Sequence, residues 1–341
     1  WDAAAMSPAL AKARQMQAHL LGSMSVVGFE LRSDANLETM TLDVVRTSAI
    51  EGEVLDPGQV RSSLARRLGL DVSGAAPVDH HVEGIVEMML DATQHCHDKL
   101  TAERLFGWHA ALFPTARSGM LRIAVGKRRP APKGPRQAGS GARGREKVHY
   151  QAPPAPALKK EMVAFLKWVN AKDALDPLLK AGLAHFWFVT LHPFEDGNGR
   201  IARAIADLLL ARSDGSPQRF YSMSAQIRTE RKKYYSILES SQRGALDVTE
   251  WLQWFLDCLQ RAIVASEDTL STVLNKLLDN FEGNLTSSKY AKLTKSSPDT
   301  ALRDILDLVK KRVLKKSGAG GRSSHYVLPG PTKLPPRRSR R

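Results

Sequence analysis

"LHPFEDGNGR" (residues 191–200) packs a histidine, two carboxylates, two glycines, an asparagine and an arginine into ten positions. The stretch before it, "AGLAHFWFVTL" (181–191), is apolar nearly all round, as a helix at the centre of a core would be. The stretch after it, "GRIARAIADLLLAR" (199–212), returns to a helical pattern. One buried helix is therefore predicted to end near Leu191 and another to begin near Asn198, with "HPFEDG" as the loop between them. Scaffolding seldom gathers so many polar groups at one buried turn, because each needs its own partner once out of water.

The residue types suggest a chemistry. Gly197 and Gly199 free the backbone to point successive amides at one spot, and a helix N-terminus adds partial positive charge there, making an anion cradle. Arg200 and Arg203 stand three apart and share a helix face, able to fork phosphate groups. Asp196 is a hard oxygen ligand suited to the magnesium that accompanies a nucleotide. His192 titrates near neutrality and could take a proton from an incoming hydroxyl. Such parts serve phosphoryl or nucleotidyl transfer.

The whole chain sets bounds. Its 341 residues suffice for two or three modest domains, and 43% hydrophobic residues can build real cores. Cys96 and Cys258 alone make neither a disulfide framework nor a tetrahedral metal spacing, which fits a reducing compartment. No run approaches the ~18 apolar residues of a membrane span, and the first residues, "WDAAAMSPALAKARQ", lack the basic-then-apolar order of a secretory signal. The expectation is a cytoplasmic protein with no membrane partner. The net charge of +15 is localised: residues 117–147 carry ten Lys or Arg against Glu146, and residues 310–341 carry eleven against no acid. The remainder is mildly acidic.

Most of the chain reads as helix. Residues 7–22 begin with Ser7 as a cap and Pro8 at the first helical position and end at Gly22. Residues 36–53 place Leu37, Met40, Val44 and Val45 on one face, and residues 56–70 restart with Asp56 and Pro57 and line up Val60, Leu64 and Leu68. Helical patterns follow at 82–100, 102–113 and 156–170. Between them, "RRPAPKGPRQAGSGARGREK" (128–147) cannot continue a helix; flanked by "MLRIAV" and "KVHYQ", it reads as a hairpin or flap. "WLQWFLDCL" (251–259) reads as buried helix. His80, His81, Glu83, His95, Cys96 and His97 look like metal ligands in one dimension, but neighbours one or two apart on a helix do not share a face, so surface groups are expected.

"HPFEDGNGRIAR" (192–203) resembles the signature of the Fic (Fic/Doc) family, whose members mostly transfer AMP from ATP to a hydroxyl of a target protein. The resemblance implies His192 as general base, Asp196 on Mg2+, and Asn198 with the amides of Gly197 and Gly199 around the α and β phosphates. Arg200 and Arg203 would hold the outer phosphates, with Pro193 rigidifying the turn and Phe194 anchoring the loop. "TSAIEG" (47–52) is similar to the family's inhibitory helix, with Thr47, Glu51 and Gly52 at its positions. A carboxylate of Glu51 on Arg203 would occupy the place a γ-phosphate needs. Glu51 steering a water for AMP removal, in a bifunctional enzyme, stays open. Tyr234 or Tyr235 of "KKYYSIL" would lie near the nucleotide base, Tyr235 being the site candidate and core packing the alternative. The flap would align a target segment by adding a strand to its edge. Its first arm, "RQAGSG", has weak strand character, so its register stays open, and its cations fit an acidic target, a nucleotide or a solvated loop.

The C-terminal pattern over 286–328 is helix, turn, a second helix capped by Ser297 and Pro298 with Leu302, Ile305, Leu306 and Val309 at amphipathic spacing, then a hairpin around "GAGG". It is similar to a winged helix. Asp299, Asp304 and Asp307 on the second helix oppose DNA phosphates, while Arg322 and the tail are basic, so protein docking or dimerisation fits at least as well as DNA binding. The fold expected is all-α: a Fic helical core with a small β-hairpin flap, an N-terminal helical region and a C-terminal winged helix. Its domains would be 1–75 with the inhibitory motif, 76–265 as catalytic core with a flap at about 119–150, 266–330 as winged helix, and 331–341 as a basic disordered tail. The function implied is an autoinhibited, Mg-ATP-dependent protein adenylyltransferase acting on a target protein, with self-modification and a homodimer open. The alternative is a winged-helix DNA-binding regulator whose Fic fold senses nucleotide.

Overall fold

The computed structural model describes residues 1–25, 29–70, 77–130, 137–140, 147–243, 247–279, 286–293, 297–310, 314–317 and 325–327. The chain is mostly helical, and it divides into two compact units, one of Trp1–Gln17 and Asn36–Ser266, the other of Ala18–Ala35 and Glu267–Arg341. None of the described helices is long and apolar enough to cross a membrane.

The first unit draws on α1 (Ala3–Ser25), α2 (Phe29–Ile50), α3 (Pro57–Arg67), α4 (His80–Gln94) and α5 (Ala102–Leu112), then α6 (Leu158–Val169), α7 (Pro177–Leu191), α8 (Asn198–Asp214), α9 (Met223–Thr229), α10 (Arg231–Arg243) and α11 (Thr249–Asp279). α1 starts before the predicted Ser7 cap: Asp2 Oδ1 accepts from the amides of Ala4 and Ala5, and Pro8 is carried inside the first turns. At α3 the expected cap is in place, Asp56 Oδ1 accepting from Gln59 N at 2.8 Å with Pro57 in the first turn. α4 stops at Gln94, short of the predicted residue 100, and Arg104 takes up the carbonyls that follow its end, including His95 O at 3.1 Å.

α7 and α8 pack along each other at the centre, with α4 and α5 against α8 and α6 against α7. Their sequence explains this: Leu178, Ala184, Phe188, Ile201, Ala204, Ile205 and Leu208 are wholly buried, each large side chain contributing roughly 1.5–3 kcal/mol on burial. α11 closes the core with Trp251, Leu252, Phe255, Cys258 and Leu259, and Trp251 Nε1 donates to Gly182 O at 2.8 Å. Around residues 117–151 two small antiparallel pairs form. β1 (Arg117–Ser118) pairs with β2 (Leu121–Arg122), and β3 (Gln137–Ser140) pairs with β4 (Lys147–Gln151), from Gln137↔Gln151 to Ser140↔Lys147 with a register shift between Ala138 and Gly139. The glycine-rich first arm therefore does form a strand, and the register shift leaves His149 as the extra residue on β4.

In the second unit α12 (Ser287–Leu293) packs on α13 (Pro298–Lys310), and β5 (Lys315–Ser317) pairs antiparallel with β6 (His325–Val327). Ser297 caps α13, accepting from Thr300 N at 3.2 Å. The buried stripe of α13 is Ala301 and Ile305, whereas Leu302 and Leu306 are exposed, a rotation from the face expected. Arg322, the "GAGG" turn, the side chains of Asp304 and Asp307, and the basic tail at 331–341 lie outside the described residues.

Candidate active site

The loop between α7 and α8 is built by backbone geometry and one aromatic anchor. α7 ends at His192, whose amide still reaches Phe188 O at 3.1 Å but whose φ of 48° is left-handed, turning the chain sharply. Two residues on, Phe194 is wholly buried and stacks on His109 at 4.3 Å with an interplanar angle of 11°. His109 is held neutral, its pKa lowered to about 4 chiefly by burial, and its Nδ1 accepts from Gly126 N at 3.1 Å. Asn198 then closes the loop on itself: Oδ1 accepts from Phe194 N and Nδ2 donates to Phe194 O, both at 2.9 Å. Both polar atoms of the Asn198 carboxamide are thus engaged within the loop, and its main-chain N–H lies in the first turn of α8. Gly197 takes φ +77°, and a Cβ there would come within 2.9 Å of the Phe113 ring. As at any helix start, the first amides of α8 lack intrahelical acceptors.

The carboxylates of the loop are fixed by the segment after α5. Asp196 accepts from Gly197 N at 2.6 Å and from the Ser118 hydroxyl, and Glu195 accepts from Ala124 N at 2.5 Å. Glu195 was not singled out in the sequence, where nothing distinguishes its position in the motif. Arg129, only 3% exposed, was counted there among the flap's cations; it instead donates from Nε to His192 O at 2.8 Å and from its main chain to Pro193 O at 2.8 Å. No periodicity or spacing signals such a contact.

α2 ends against this loop. Glu53 N donates to Ser48 O at 3.1 Å and Gly52 N to Ala49 O at 3.2 Å, with Gly52 at φ +89°. This glycine-dependent helix stop turns Glu51 and Glu53 toward α8. Glu51 Oε1 accepts from Arg203 Nη2 at 2.7 Å, and Thr47 holds the same guanidinium through Oγ1 at 2.7 Å and its carbonyl at 2.9 Å. The Glu51 carboxylate also lies so close over Gly199 that a Cβ there would overlap it. Burial opposes the charge of Arg203, yet the Glu51 carboxylate beside it holds its pKa above the ordinary value. Arg203 Nη1 is buried with no acceptor among the described residues and faces the Gly199 side.

Arg200 is paired with Glu53 at 2.8 Å, a contact not anticipated, and Glu53 also meets His81 Nε2. Burial pushes the Glu53 carboxyl up, but the His81 hydrogen bond and the Arg200 charge outweigh it, leaving the pKa below the usual range. His81 and Glu83 are thus not plain surface groups, since Glu83 accepts from Ser63 at 3.0 Å and from Arg67 at 2.9 Å, and Cys96 is buried. Among the described residues no three His, Cys, Asp or Glu side chains converge as a metal site.

One turn further from the loop, the α2–α8 contact continues in register. Asp43 and Asp207 each stand four residues beyond Thr47 and Arg203, and both keep a buried carboxylate oxygen, Oδ2, without a donor among the described residues. Burial first, and then the Asp43 charge, drive the Asp207 carboxyl well above its ordinary pKa, while Arg219 at 3.4 Å opposes this. Rising numbers on α2 (43, 47, 51) meet falling numbers on α8 (207, 203, 199), so the two helices run in opposite senses. Of the two tyrosines, Tyr234 is core, its hydroxyl 2.9 Å from His185 Nε2. Tyr235 is 39% exposed under the Arg231 guanidinium at 5.2 Å, and the Glu51 charge is among the influences raising its pKa after burial.

A cleft of about 690 Å³ opens here, lined among others by Glu51, Glu53, His81, Phe113, Asp196 and Arg200. His192 is not in its lining; it stands at the opposite end of the loop from Asp196. Two carboxylates therefore sit where the helix N-terminus, two arginines and the loop amides concentrate positive potential, an arrangement suited to polyanions.

Comparisons with known proteins agree with this architecture. A family described as "Fic/DOC family" matches residues 99–210, and a "Domain of unknown function (DUF4172)" matches residues 1–70. "Protein adenylyltransferase Fic" of Aedes aegypti is 28% identical over 251 residues, covering 71% of this chain and 44% of that protein. The protein of the same name from Nematostella vectensis is 36% identical over 122 residues, or 35% of this chain and 26% of that one. The chain spans less than half the length of these curated relatives. Among solved structures, a Fic family protein from Desulfovibrio desulfuricans G20 aligns over 97% of both chains with a TM-score of 0.56 at 20% identity. A Fic domain containing signaling protein from Bacteroides thetaiotaomicron aligns over 76% of this chain and 98% of its own, with a TM-score of 0.55 at 20% identity. These likenesses speak to the fold. Together with the loop's sequence and geometry, the family match shows that this chain carries a Fic/DOC family domain over residues 99–210.

Proposed function

We propose that the protein is a protein adenylyltransferase held in an inhibited state by its own α2. The single observation that carries the reading is the Glu51 carboxylate lying over Gly199 and bonded to Arg203 at 2.7 Å, an internal anion in a seat built for an external one. In the active form Glu51 swings away. Arg203, whose Nη1 already faces this seat, and Arg200 take the outer phosphates of ATP. The amides of Gly197, Asn198 and Gly199 line the inner phosphates, and Tyr235 flanks the base.

His192 then accepts the proton of a target hydroxyl as its oxygen attacks the α-phosphorus; the bond to the β-phosphate oxygen breaks and pyrophosphate leaves. The left-handed turn at His192 sets the direction in which its Cα–Cβ bond leaves the loop. A target segment docks along the β3–β4 hairpin as an added strand.

Asp196 fits magnesium: it is an oxygen donor on the cleft wall, fixed by Gly197 N and Ser118, and a single protein carboxylate suits an ion whose other ligands are phosphates and waters. When bound, the ion neutralises phosphate charge. The relatives named as adenylyltransferases support the donor and the reaction type. The test is incubation of the Glu51→Gly protein with α-labelled ATP, Mg2+ and a cell lysate. Covalent label on protein, lost in Glu51→Gly/His192→Ala, is expected; equal labelling by the two variants overturns the role of His192.

A further inference from the structure

We infer that Arg129 is a positioning residue for His192, joining the base of the flap to the catalytic loop; the inference rests on the reading of His192 given above. Arg129 is a nearly fully buried cation, the second residue of the glycine- and proline-rich stretch 128–147. Three of its contacts run to main-chain carbonyls. Nε donates to His192 O at 2.8 Å, Nη2 donates to Pro153 O at 2.5 Å, and its own amide donates to Pro193 O at 2.8 Å. A guanidinium is rigid and planar, so donors on two of its edges fix two acceptors relative to each other.

The two acceptors have different origins. Pro153 lies two residues past the end of β4 and Arg129 precedes β3, so the guanidinium ties the segments on either side of the hairpin to each other. His192 is the residue that carries the left-handed turn, with φ 48° and ψ 56°. Left-handed backbone is disfavoured for any residue with a Cβ and persists only where its surroundings over-determine it. Here the amide of His192 is held by Phe188 O and its carbonyl by Arg129 Nε, with Pro193 O held by the Arg129 amide, so both peptide groups flanking the turn are tied. The direction in which the His192 side chain leaves the chain follows from that backbone.

One side chain therefore sets the distance between the strand on which a target segment would lie and the group that would take its proton. Loosening it moves the base relative to the hydroxyl while leaving the α8 N-terminus, Arg200 and Arg203 in place. The expected signature is a loss of turnover without a loss of nucleotide binding, since misplacement of about 1 Å is enough to cost on the order of a hundredfold in rate.

The test compares Arg129→Ala and Arg129→Lys in the Glu51→Gly background. Labelling at saturating Mg-ATP should fall about ten- to hundredfold in Arg129→Ala, with the Kd for Mg-ATP changed by less than about twofold. Added guanidinium ion should restore part of that rate, and Arg129→Lys should fall between the two. Unchanged turnover, or turnover and nucleotide affinity lost together with no rescue, overturns the proposal. A second readout needs no activity: the NMR titration of the His192 ring should shift in Arg129→Ala while that of His109 does not. An unmoved His192 titration refutes positioning by Arg129. Absence of label in every variant, with the His192 shift present, would count against adenylyl transfer but uphold the positioning role.

Discussion

Removing the Glu51 side chain should weaken the folded protein and strengthen its hold on nucleotide, and the opposite signs make the prediction discriminating. In Glu51→Gly, Arg203 loses the 2.7 Å bond to the carboxylate but keeps Thr47 Oγ1 and Thr47 O. Arg203 is 2% exposed, whereas the Glu51 side chain is 31% exposed, so the penalty for breaking a fully buried pair is an upper bound. A hydrogen bond between charged groups, about 1.5–3 kcal/mol, is the better measure. That loss should lower the Tm of the free protein by roughly 3–12 °C for a unit of this size. The same 1.5–3 kcal/mol no longer has to be spent displacing the carboxylate before phosphates reach Arg203. The Kd for Mg-ATP should therefore fall by about ten- to 150-fold, read by isothermal titration calorimetry on both proteins. A Kd unchanged within about twofold, alongside the lowered Tm, would show that Glu51 stabilises the fold without competing for the phosphate seat.

Three other outcomes follow from the site's surroundings. Asp207 has a folded pKa raised above its unfolded value of about 3.9, so the stability it contributes is full below that value and is lost as pH rises through the raised one. Asp207→Asn should flatten this decline in urea-melt stability, and an unaltered pH profile would show that the Asp207 carboxyl is not held above its ordinary pKa. His109 has the opposite sense: with its pKa depressed from 6.5 to about 4, it supports the fold above 6.5 and loses up to about 3 kcal/mol of stability as pH falls toward 4. His109→Gln should show a weaker acid limb between those values. Gly197→Ala should cost about 2 kcal/mol or more, from the left-handed backbone and the approach to Phe113, and a thermal melt matching the parent would contradict the loop geometry.

Much of the site was legible because its signals are local. The buried α7, the loop and the start of α8 could be read from "HFWFVTLHPFEDGNGRIAR", where an all-apolar helix gives way to glycines and charges within a few residues. The approach of Glu51 to Arg203 came only through family resemblance, since 152 residues separate them and no spacing rule spans that distance. The contacts that the sequence does not signal are chosen by tertiary packing. Glu53 on Arg200 depends on how the Gly52 turn aims two carboxylates at once, and Arg129 was hidden in a run of cations that composition marks as solvated. The stop of α4 at Gln94 reflects capture of nearby carbonyls by Arg104, a side chain from the next helix. Likewise, α13 buries Ala301 and Ile305 in place of the larger leucines because its neighbours fix its rotation, which periodicity alone leaves free.

The most direct measurement is a paired labelling of the Glu51→Gly protein and a lysate, once with ATP labelled at the α-phosphate and once at the γ-phosphate. Nucleotidyl transfer through His192 predicts covalent label from the α position alone, with the γ label released in pyrophosphate. Label carried from the γ position, or α label that persists when His192 is replaced by alanine, would contradict it.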